Sequence, residues 1–277
     1  MLEIIILTLL IFTIFLIRHL FFWSPINIDH LYSNGPLLMG HRGSPIEAPE
    51  NTLESFRTAV DQGIKAIELD VMSTADGIVV CSHNHDLERE TNGMGYIHKT
   101  CYENLKTIDA GVKFPAFECC HIPKLKDIIL ALPNDLIFNI EIKSLSLFDF
   151  HTVGRVLNLI AEYDLYKRVL ISSFNPMVLW KVKRFNKTIP TAYLWSDENV
   201  PIILKKPRFI NLVHPDMLHP SAHLVEKRVF LFAQRKKMKI NVWTVNNLPA
   251  MEWLLQQGAD GLISDFPKLM LRIGPQS

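Results

Sequence analysis

The chain opens with an almost continuous apolar segment, which a polar stretch and then an alternation of short and long apolar patterns follow. Residues 4–17 read IIILTLLIFTIFLI, in which only Thr8 and Thr13 are polar. These 14 residues are fewer than the roughly 20 that a membrane-spanning helix needs. However, the side chain of Arg18 can reach lipid headgroups, and the aromatic residues 21–23 can lie at a membrane interface, which extends the usable length.

Two other interpretations of this segment have less support. A cleaved signal peptide should begin with a basic region and end at small residues, whereas Glu3 stands near the start of this chain and no such cleavage pattern follows. A core helix should carry a polar face, and none is visible. The pattern therefore predicts a single-pass membrane anchor over residues 1–23. Its lone Arg18 does not determine an orientation, while few cysteines without evident pairing favour the cytoplasmic side for the rest of the chain.

Short apolar runs and helical patterns alternate after residue 35. The polar composition of residues 24–35 predicts a linker. The 242 residues that follow (36–277) are close in number to those of a (β/α)8 barrel. Fully buried parallel strands should read as continuous apolar runs. Eight such runs cover residues 37–40, 66–71, 136–142, 168–172, 191–194, 209–213, 239–245 and 261–264. Helical patterns cover residues 52–62, 125–131, 148–163, 176–185, 200–205, 222–237 and 249–257.

This alternation predicts an α/β fold, a (β/α)8 TIM barrel preceded by an N-terminal transmembrane helix. The alternative is an open doubly wound sheet, which usually carries a glycine fingerprint after its first strand, and this chain has none there. An additional apolar run at 78–82 falls between the second and third predicted barrel strands, and an irregular stretch follows it. We therefore predict a small insertion over about residues 84–122, at the mouth of the barrel.

Composition and charge narrow the possible functions. Apolar residues make up 48% of the chain and charged residues 21%, which is typical of a folded protein with a sizeable core. The formal net charge of +1 lacks the basic surplus of a nucleic-acid-binding protein. Four cysteines with no CxxC pair favour neither a disulfide scaffold nor a structural zinc site.

Polar and charged side chains collect where the predicted strands end. A barrel enzyme carries its chemistry at the carboxyl ends of its strands. Residues two apart on a strand share a face, so the paired charges of one strand point the same way. The side chains in question are His41 and Arg42 at the first strand, Glu68 and Asp70 at the second, Glu141 and Lys143 at the third, and Trp243 at the seventh.

Three of these side chains are carboxylates that would meet inside an apolar barrel. Buried, unpaired carboxylates cost several kcal/mol each, so they need a cation. Lys143 and Arg42 could provide it, which would make the cluster a structural ion-pair network. Two cations against three carboxylates still leave an excess of negative charge. Oxygen ligands suit a hard cation, so we predict one divalent ion, Mg²⁺ or Ca²⁺, bound by Glu68, Asp70 and Glu141.

Histidines provide candidate acid–base groups. An imidazole with a pKa near 6.5 can accept or donate a proton at neutral pH. His41 follows the first strand, and His83 and His85 flank Asn84 after the additional apolar run. Two histidines two apart could also form a zinc pair or lie on the surface, and no third His or Cys is clearly positioned with them. A divalent cation, two basic side chains and two imidazoles together favour hydrolysis of a phosphate diester.

Six motifs in order resemble those of the glycerophosphodiester phosphodiesterases. They are HRGSPIEAPENT, ELD, VVCSH, NIEIK, VWTVN and ADGLISDFP, and they extend from about residue 37 to 268. The resemblance implies a (β/α)8 barrel with a small insertion after the second strand region. It also implies hydrolysis of glycerophosphodiesters to glycerol 3-phosphate and an alcohol, with Mg²⁺ or Ca²⁺.

The resemblance implies a role for each matching residue. One departure concerns the residue after the second histidine, where the family usually has Asp and this chain has Asn84. Asn can hydrogen-bond the imidazole but cannot stabilise its positive charge as a carboxylate does. By the resemblance, the acid–base residues are His41 and His83, the metal ligands Glu68, Asp70 and Glu141, the phosphate-contacting residues Arg42 and Lys143, the supporting residues Glu50 and Asn51, and the residue lining the alcohol pocket Trp243.

Several functions remain open at this point. Anchored relatives act on lysophospholipids and release lysophosphatidic acid, and the apolar insertion residues Phe114 and Phe117 could cover an acyl chain or simply the barrel mouth. A phosphodiester lyase that releases a cyclic phosphate is an alternative within enzymes. A non-catalytic lipid-binding barrel is the alternative outside them, and Asn84 is the feature in its favour. The expected partners are the substrate and a membrane, and no nucleic acid.

Overall fold

A closed ring of parallel strands forms the centre of the molecule in the computed structural model, which describes residues 1–117, 120–198 and 200–273. Within these ranges each barrel strand pairs in parallel with its neighbours, and the first strand pairs with both the second and the last, which closes the ring. The barrel strands are Leu37–Gly40 (β1), Ala66–Ser73 (β2), Ile137–Ile142 (β4), Val169–Ser173 (β5), Thr191–Trp195 (β6), Met217–Pro220 (β7), Lys239–Val242 (β8) and Gly261–Ser264 (β9). The predicted α/β barrel is therefore confirmed.

Helices that follow the barrel strands surround this ring and bury apolar faces against it. Side chains capping helix starts fix several junctions: the Thr52 hydroxyl accepts from the backbone N–H of Ser55, and Asn175 and Asn247 act in the same way at two later helices. The helices are Leu2–Phe21 (α1), Leu53–Asp61 (α2), Tyr102–Leu105 (α3), Leu125–Ala131 (α4), His151–Glu162 (α5), Pro176–Phe185 (α6), Ile210–Val213 (α7), Lys227–Lys236 (α8), Leu248–Gln256 (α9) and Pro267–Met270 (α10).

Two predicted elements near residue 205 are wrong. Residues 209–213 were predicted as a strand, but Ile210–Val213 is the short helix α7, and the barrel strand is Met217–Pro220. A short apolar run cannot distinguish a strand from a buried helical turn, and the true strand contains His219 and Pro220, which conceal it. Residues 200–205 were predicted as a helix and instead form turns of an irregular loop.

The additional run after β2 forms a short antiparallel strand, Val79–Cys81 (β3), on the carboxyl half of β2. The insertion that follows contains α3 and a 3-10 helix, Ile97–Lys99. Its residues Glu118 and Cys119 lie outside the described ranges. Four buried apolar residues of the insertion, Leu87, Ile97, Leu105 and Ile122, pack in a small cluster with Met72 of β2 and Val80 of β3.

The amino-terminal segment meets the barrel at the end where the strands begin. Most large apolar side chains between Ile5 and Phe22 are exposed, whereas Trp23 is buried and its indole N–H donates to Asn211. In the described part of the chain, no helix combines the length and the apolar character that crossing a membrane requires. The membrane anchor over residues 1–23 therefore stays a prediction.

The segment predicted as a polar linker packs beneath the barrel. It contains the 3-10 helix Asp29–Tyr32, and its Ile28 and Leu31 are buried. They join an apolar cluster with Leu37, Met39, Ala66, Leu170, Ala192, Met217 and Ile263, most of which lie where barrel strands begin. Residues 24–35 thus close the amino-terminal end of the barrel.

Candidate active site at the carboxyl ends of the strands

Three buried carboxylates converge at the open end of the barrel. Glu68 and Asp70 project from β2. Glu141 projects from the neighbouring strand β4, where it lies directly beside Asp70 in the parallel pairing of the two strands. One oxygen of each carboxylate lies within 4.8 Å of one from each of the others. The relative exposures of Glu68, Asp70 and Glu141 are 3%, 1% and 8%, so solvent has almost no access to the three residues. The structure therefore brings the three predicted metal ligands together.

Two basic side chains partly neutralise the carboxylates. Lys143 Nζ lies 2.8 Å from Glu141 Oε1 and 3.1 Å from Asp70 Oδ1. Arg42 Nε lies 3.2 Å from Asp70 Oδ2, while its Nη1 donates to both oxygens of Glu50 at 2.9 Å. The predicted supporting residue Glu50 thus holds the guanidinium. With the carboxylate of Glu50 included, four carboxylates face the two cations, so the site keeps an excess of negative charge.

The excess charge appears in the pKa values of the carboxyl groups. Burial raises the pKa of Glu68 well above its usual value, and the neighbouring Asp70 and Glu141 raise it further. Burial also raises the pKa of Glu141, against the opposing effect of Lys143. Asp70 behaves differently: burial would raise its pKa, but Lys143 and Arg42 together lower it. Burial and the close carboxylates thus both disfavour the ionised forms of the two glutamates.

This arrangement fits a divalent cation. The donors are all carboxylate oxygens, which suit Mg²⁺ or Ca²⁺, and they already lie close enough to share one ion. Burial raises the pKa values of Glu68 and Glu141, and the close carboxylates add to this effect, so the two resident cations only partly offset the negative charge. A divalent cation would supply the missing positive charge.

A tight turn after β1 positions Arg42. The residue adopts a left-handed conformation (φ 52°), and its backbone N–H donates to Glu68 Oε2 at 3.1 Å. Gly43 follows at φ 92°, where an added Cβ would lie 2.5–2.7 Å from atoms of Ser55, including its backbone. The Ser55 hydroxyl donates to the Arg42 carbonyl at 2.9 Å. Only glycine fits this close approach to α2, which explains the glycine of the HRG motif.

Asn51 connects this turn to the carboxylates. Its Nδ2 donates to Asp70 Oδ2 at 3.0 Å, and its Oδ1 accepts from the Asp70 backbone N–H at 3.0 Å. Its own backbone N–H donates to the Arg42 carbonyl at 3.1 Å. Asn51 is buried and left-handed (φ 57°), a conformation that Asn tolerates better than most residues. The predicted supporting role is thus consistent with its contacts.

The two predicted acid–base histidines line the same cavity but have different partners. His41 Nδ1 lies 2.6 Å from Asp265 Oδ1, and its Nε2 lies 4.0 Å from Glu68 Oε2. His83 Nδ1 lies 3.2 Å from Asn84 Oδ1, a neutral amide. Burial, together with the positive charge of Lys143, lowers the pKa of His83 to about 3.

Asp265, the partner of His41, was not among the site residues predicted from the sequence. It follows β9 within the ADGLISDFP motif, and Asn246 Nδ2 donates to its Oδ2 at 2.6 Å. The His41 contact lowers the pKa of Asp265 despite partial burial, which raises it. An acidic residue at the end of the last barrel strand, in a motif already recognised, is the signal that could have revealed it.

A cavity of about 660 Å³ connects these groups to the barrel mouth. Trp243 forms part of its wall, where its ring meets Phe174 edge-on and its indole N–H donates to the His219 carbonyl at 2.7 Å. Phe114 instead lines a neighbouring cavity of about 300 Å³ that it shares with Glu50 and His83. The apolar part of the large cavity is lined by Ile142, Leu145, Leu147, Leu194, Val200, Ile203, Leu204 and Phe209.

Comparisons with known proteins agree with this geometry. A model of the glycerophosphoryl diester phosphodiesterase family matches residues 41–269. A glycerophosphodiester phosphodiesterase from Caldanaerobacter subterraneus subsp. tengcongensis is 32% identical over 240 residues, which cover 86% of this chain and 97% of the relative.

Solved structures show the same similarity. A phosphodiesterase from Oleispira antarctica, in complex with the product sn-glycerol-3-phosphate, superposes with a TM-score of 0.78 and 31% identity, covering 87% of this chain and 97% of that one. A glycerophosphodiester phosphodiesterase from Thermotoga maritima gives a TM-score of 0.70 at 28% identity, covering 86% and 98%. The chain therefore belongs to the glycerophosphoryl diester phosphodiesterase family.

Proposed function

We propose that this phosphoric diester hydrolase cleaves glycerophosphodiesters to glycerol 3-phosphate and an alcohol in a metal-dependent reaction. Membership of the family establishes the class of hydrolase. The observation that carries the rest is the convergence of three buried carboxylates, two basic side chains and two histidines around one cavity. The glycerol phosphate bound in the Oleispira relative supports the substrate class.

In this proposal Glu68, Asp70 and Glu141 hold one divalent cation, Mg²⁺ or Ca²⁺. When bound, the cation supplies positive charge to the phosphoryl oxygens. Arg42 and Lys143 lie beside the same carboxylates and add donors for the phosphate. Their positions are fixed by ion pairs, so little reorganisation is needed as negative charge develops on the phosphoryl group.

His41 and His83 are proposed to move the protons. Asp265 accepts a hydrogen bond from His41 Nδ1, so this tautomer leaves Nε2 free toward the cavity to take a proton from the water that attacks phosphorus. His83, which lines the same cavity, delivers a proton to the departing alkoxide as the P–O bond breaks. The negative charge of the bound phosphate diester raises the pKa of His83 above its value of about 3 in the free protein, so that the imidazole can carry this proton. The P–O bond to water forms, the P–O bond to the alcohol breaks, and the proton taken from water is matched by the proton given to the alkoxide, which balances the hydrolysis.

A lysophospholipid is the second candidate substrate, and the apolar part of the large cavity favours it. The loops after β4 and β6 contribute Leu145, Leu147, Ile203 and Leu204 to that wall, whereas Phe114 of the insertion lines the smaller cavity. An acyl chain would therefore follow these two loops. The product would then be lysophosphatidic acid.

We also propose that α1 attaches the protein to a membrane. The support is the exposure of large apolar side chains along the described part of this helix. Flotation of the full-length chain with liposomes, compared with a variant that begins at residue 23, tests this attachment. Equal flotation of both would contradict it.

A product assay on glycerophosphocholine and lysophosphatidylcholine, with and without EDTA, tests the proposed function. We expect choline and glycerol 3-phosphate from the first substrate, and no product after chelation. Phosphorus NMR of the products tests the lyase alternative, because a persisting cyclic phosphate would favour it. Lipid binding without metal-dependent choline release would favour the non-catalytic barrel and contradict the proposal.

A further inference from the structure

Exposed apolar side chains form a rim around the mouth of the large cavity. The loop after β4 contributes Leu145, Leu147 and Phe148, and the loop after β6 contributes Ile202 and Ile203. Phe148 exposes 69% of its area and Ile202 exposes 85%. We call these five residues the mouth rim.

The mouth rim borders the active-site opening. Leu145 and Leu147 from one loop and Ile203 from the other line the same cavity, so both loops border one entrance. Phe148 follows Leu147 in sequence, Ile202 precedes Ile203, and the side chains of both are exposed to solvent. Single exposed apolar residues are common on protein surfaces, but a group of them around one opening is typical of a surface that binds a membrane or another protein.

Basic residues accompany the rim. Lys205, Lys206 and Arg208 follow Ile203 on the same loop, and all three are exposed. Of the acidic groups nearby, Asp149 accepts hydrogen bonds from two backbone N–H groups and Asp197 accepts one from His223 at 2.6 Å, while Glu198 lines the cavity. Apolar side chains beside exposed cations are the combination with which proteins bind anionic lipid interfaces.

We propose that the mouth rim docks onto an anionic lipid surface and brings the active site to amphiphilic phosphodiesters held there. This inference rests on the proposed function and adds the surface through which a lipid substrate enters. The rim lies at the carboxyl ends of the strands, whereas α1 joins the barrel at the other end, through Trp23 and Asn211. Its lipid contact is therefore separate from any contact that α1 makes.

The test uses the full-length protein with lysophosphatidylcholine in phosphatidylglycerol vesicles, and glycerophosphocholine in solution. The double variant Phe148→Glu/Ile202→Glu changes two rim residues that do not line the cavity. Burying two large apolar side chains contributes enough free energy that we expect hydrolysis of the vesicle-held substrate to fall at least about tenfold. Hydrolysis of soluble glycerophosphocholine should stay within about twofold of the original rate, because the catalytic groups are unchanged.

The matched control is Leu130→Glu/Trp253→Glu, which places the same charges on exposed apolar positions of α4 and α9. It should leave both rates near those of the unchanged protein. Lys205→Glu/Lys206→Glu should lower hydrolysis in phosphatidylglycerol vesicles more than in phosphatidylcholine vesicles.

Equal loss in the rim and control variants would overturn the inference, as would an unchanged protein that hydrolyses glycerophosphocholine but not the vesicle-held lipid. An unchanged protein inactive on both substrates would instead refute the proposed function.

Discussion

Replacing Asp265 with Asn tests whether a carboxylate behind His41 contributes to catalysis. Asn can still accept a hydrogen bond from His41 Nδ1 through its Oδ1, although its amide nitrogen then replaces the oxygen that accepts from Asn246 Nδ2. The imidazole keeps an acceptor, but the negative charge that stabilises its protonated form is lost. A hydrogen bond to a charged group contributes about 1.5–3 kcal/mol. Loss of that amount from the transition state lowers kcat/KM by about 10–150-fold. We expect the decrease in kcat, with KM little changed, because the charge acts on proton transfer.

The assay measures choline release from glycerophosphocholine at saturating metal, together with the melting temperature. Asp197→Asn is a matched control, because Asp197 also lies 2.6 Å from a histidine nitrogen, that of His223, at the same end of the barrel. We expect it to retain full activity. If Asp265→Asn kept kcat/KM within twofold of the unchanged enzyme, the proposed role of the His41–Asp265 pair would be refuted.

Three further predictions concern the carboxylates and the turn after β1. Glu141→Ala should lower activity at least about 100-fold and abolish the stabilisation by metal in thermal melts; near-normal turnover would refute the metal assignment. Burial and neighbouring carboxylates raise the pKa of Glu68, so protons compete with metal for this carboxylate. The metal-induced increase in melting temperature should therefore be larger at pH 8 than at pH 6, and a pH-independent increase would contradict this. Gly43→Ala should lower the free energy of unfolding by about 1–3 kcal/mol and remove most of the activity. Gly154→Ala in α5 is the control, because an added Cβ there meets no atom within 4 Å, and it should be neutral or stabilising. Equal melting temperatures of the two variants would count against the steric argument.

Sequence reasoning located the carboxylate cluster because strand alternation and barrel topology together determine where such side chains point. Glu68 and Asp70 are two apart on β2, and the parallel register brings Glu141 of β4 beside them. The resemblance then assigned roles to residues such as Asn51, whose contacts with Asp70 no spacing argument could have revealed.

Other features depend on tertiary context that a single sequence does not contain. The strand Met217–Pro220 has four residues, among them a buried histidine and a proline, so its neighbour in sequence, Ile210–Val213, had the stronger apolar signal. Most of the apolar wall of the large cavity comes from the loops after β4 and β6, which have no periodicity, and the aromatic residues of the insertion were therefore the more conspicuous candidates. The partner of His41 is 224 residues away along the chain.

The packing of residues 24–35 beneath the strands determines where an independently stable catalytic unit must start. The match to the family model begins at residue 41, inside the fold, and even a truncation placed just before the first barrel strand would remove Ile28 and Leu31 from the apolar cluster they share with Leu37 and Met217. Losing two such buried side chains costs about 3–6 kcal/mol, comparable with the whole stability of many domains. A shortened enzyme meant for crystallisation should therefore retain everything from Trp23 onward, even if α1 is removed.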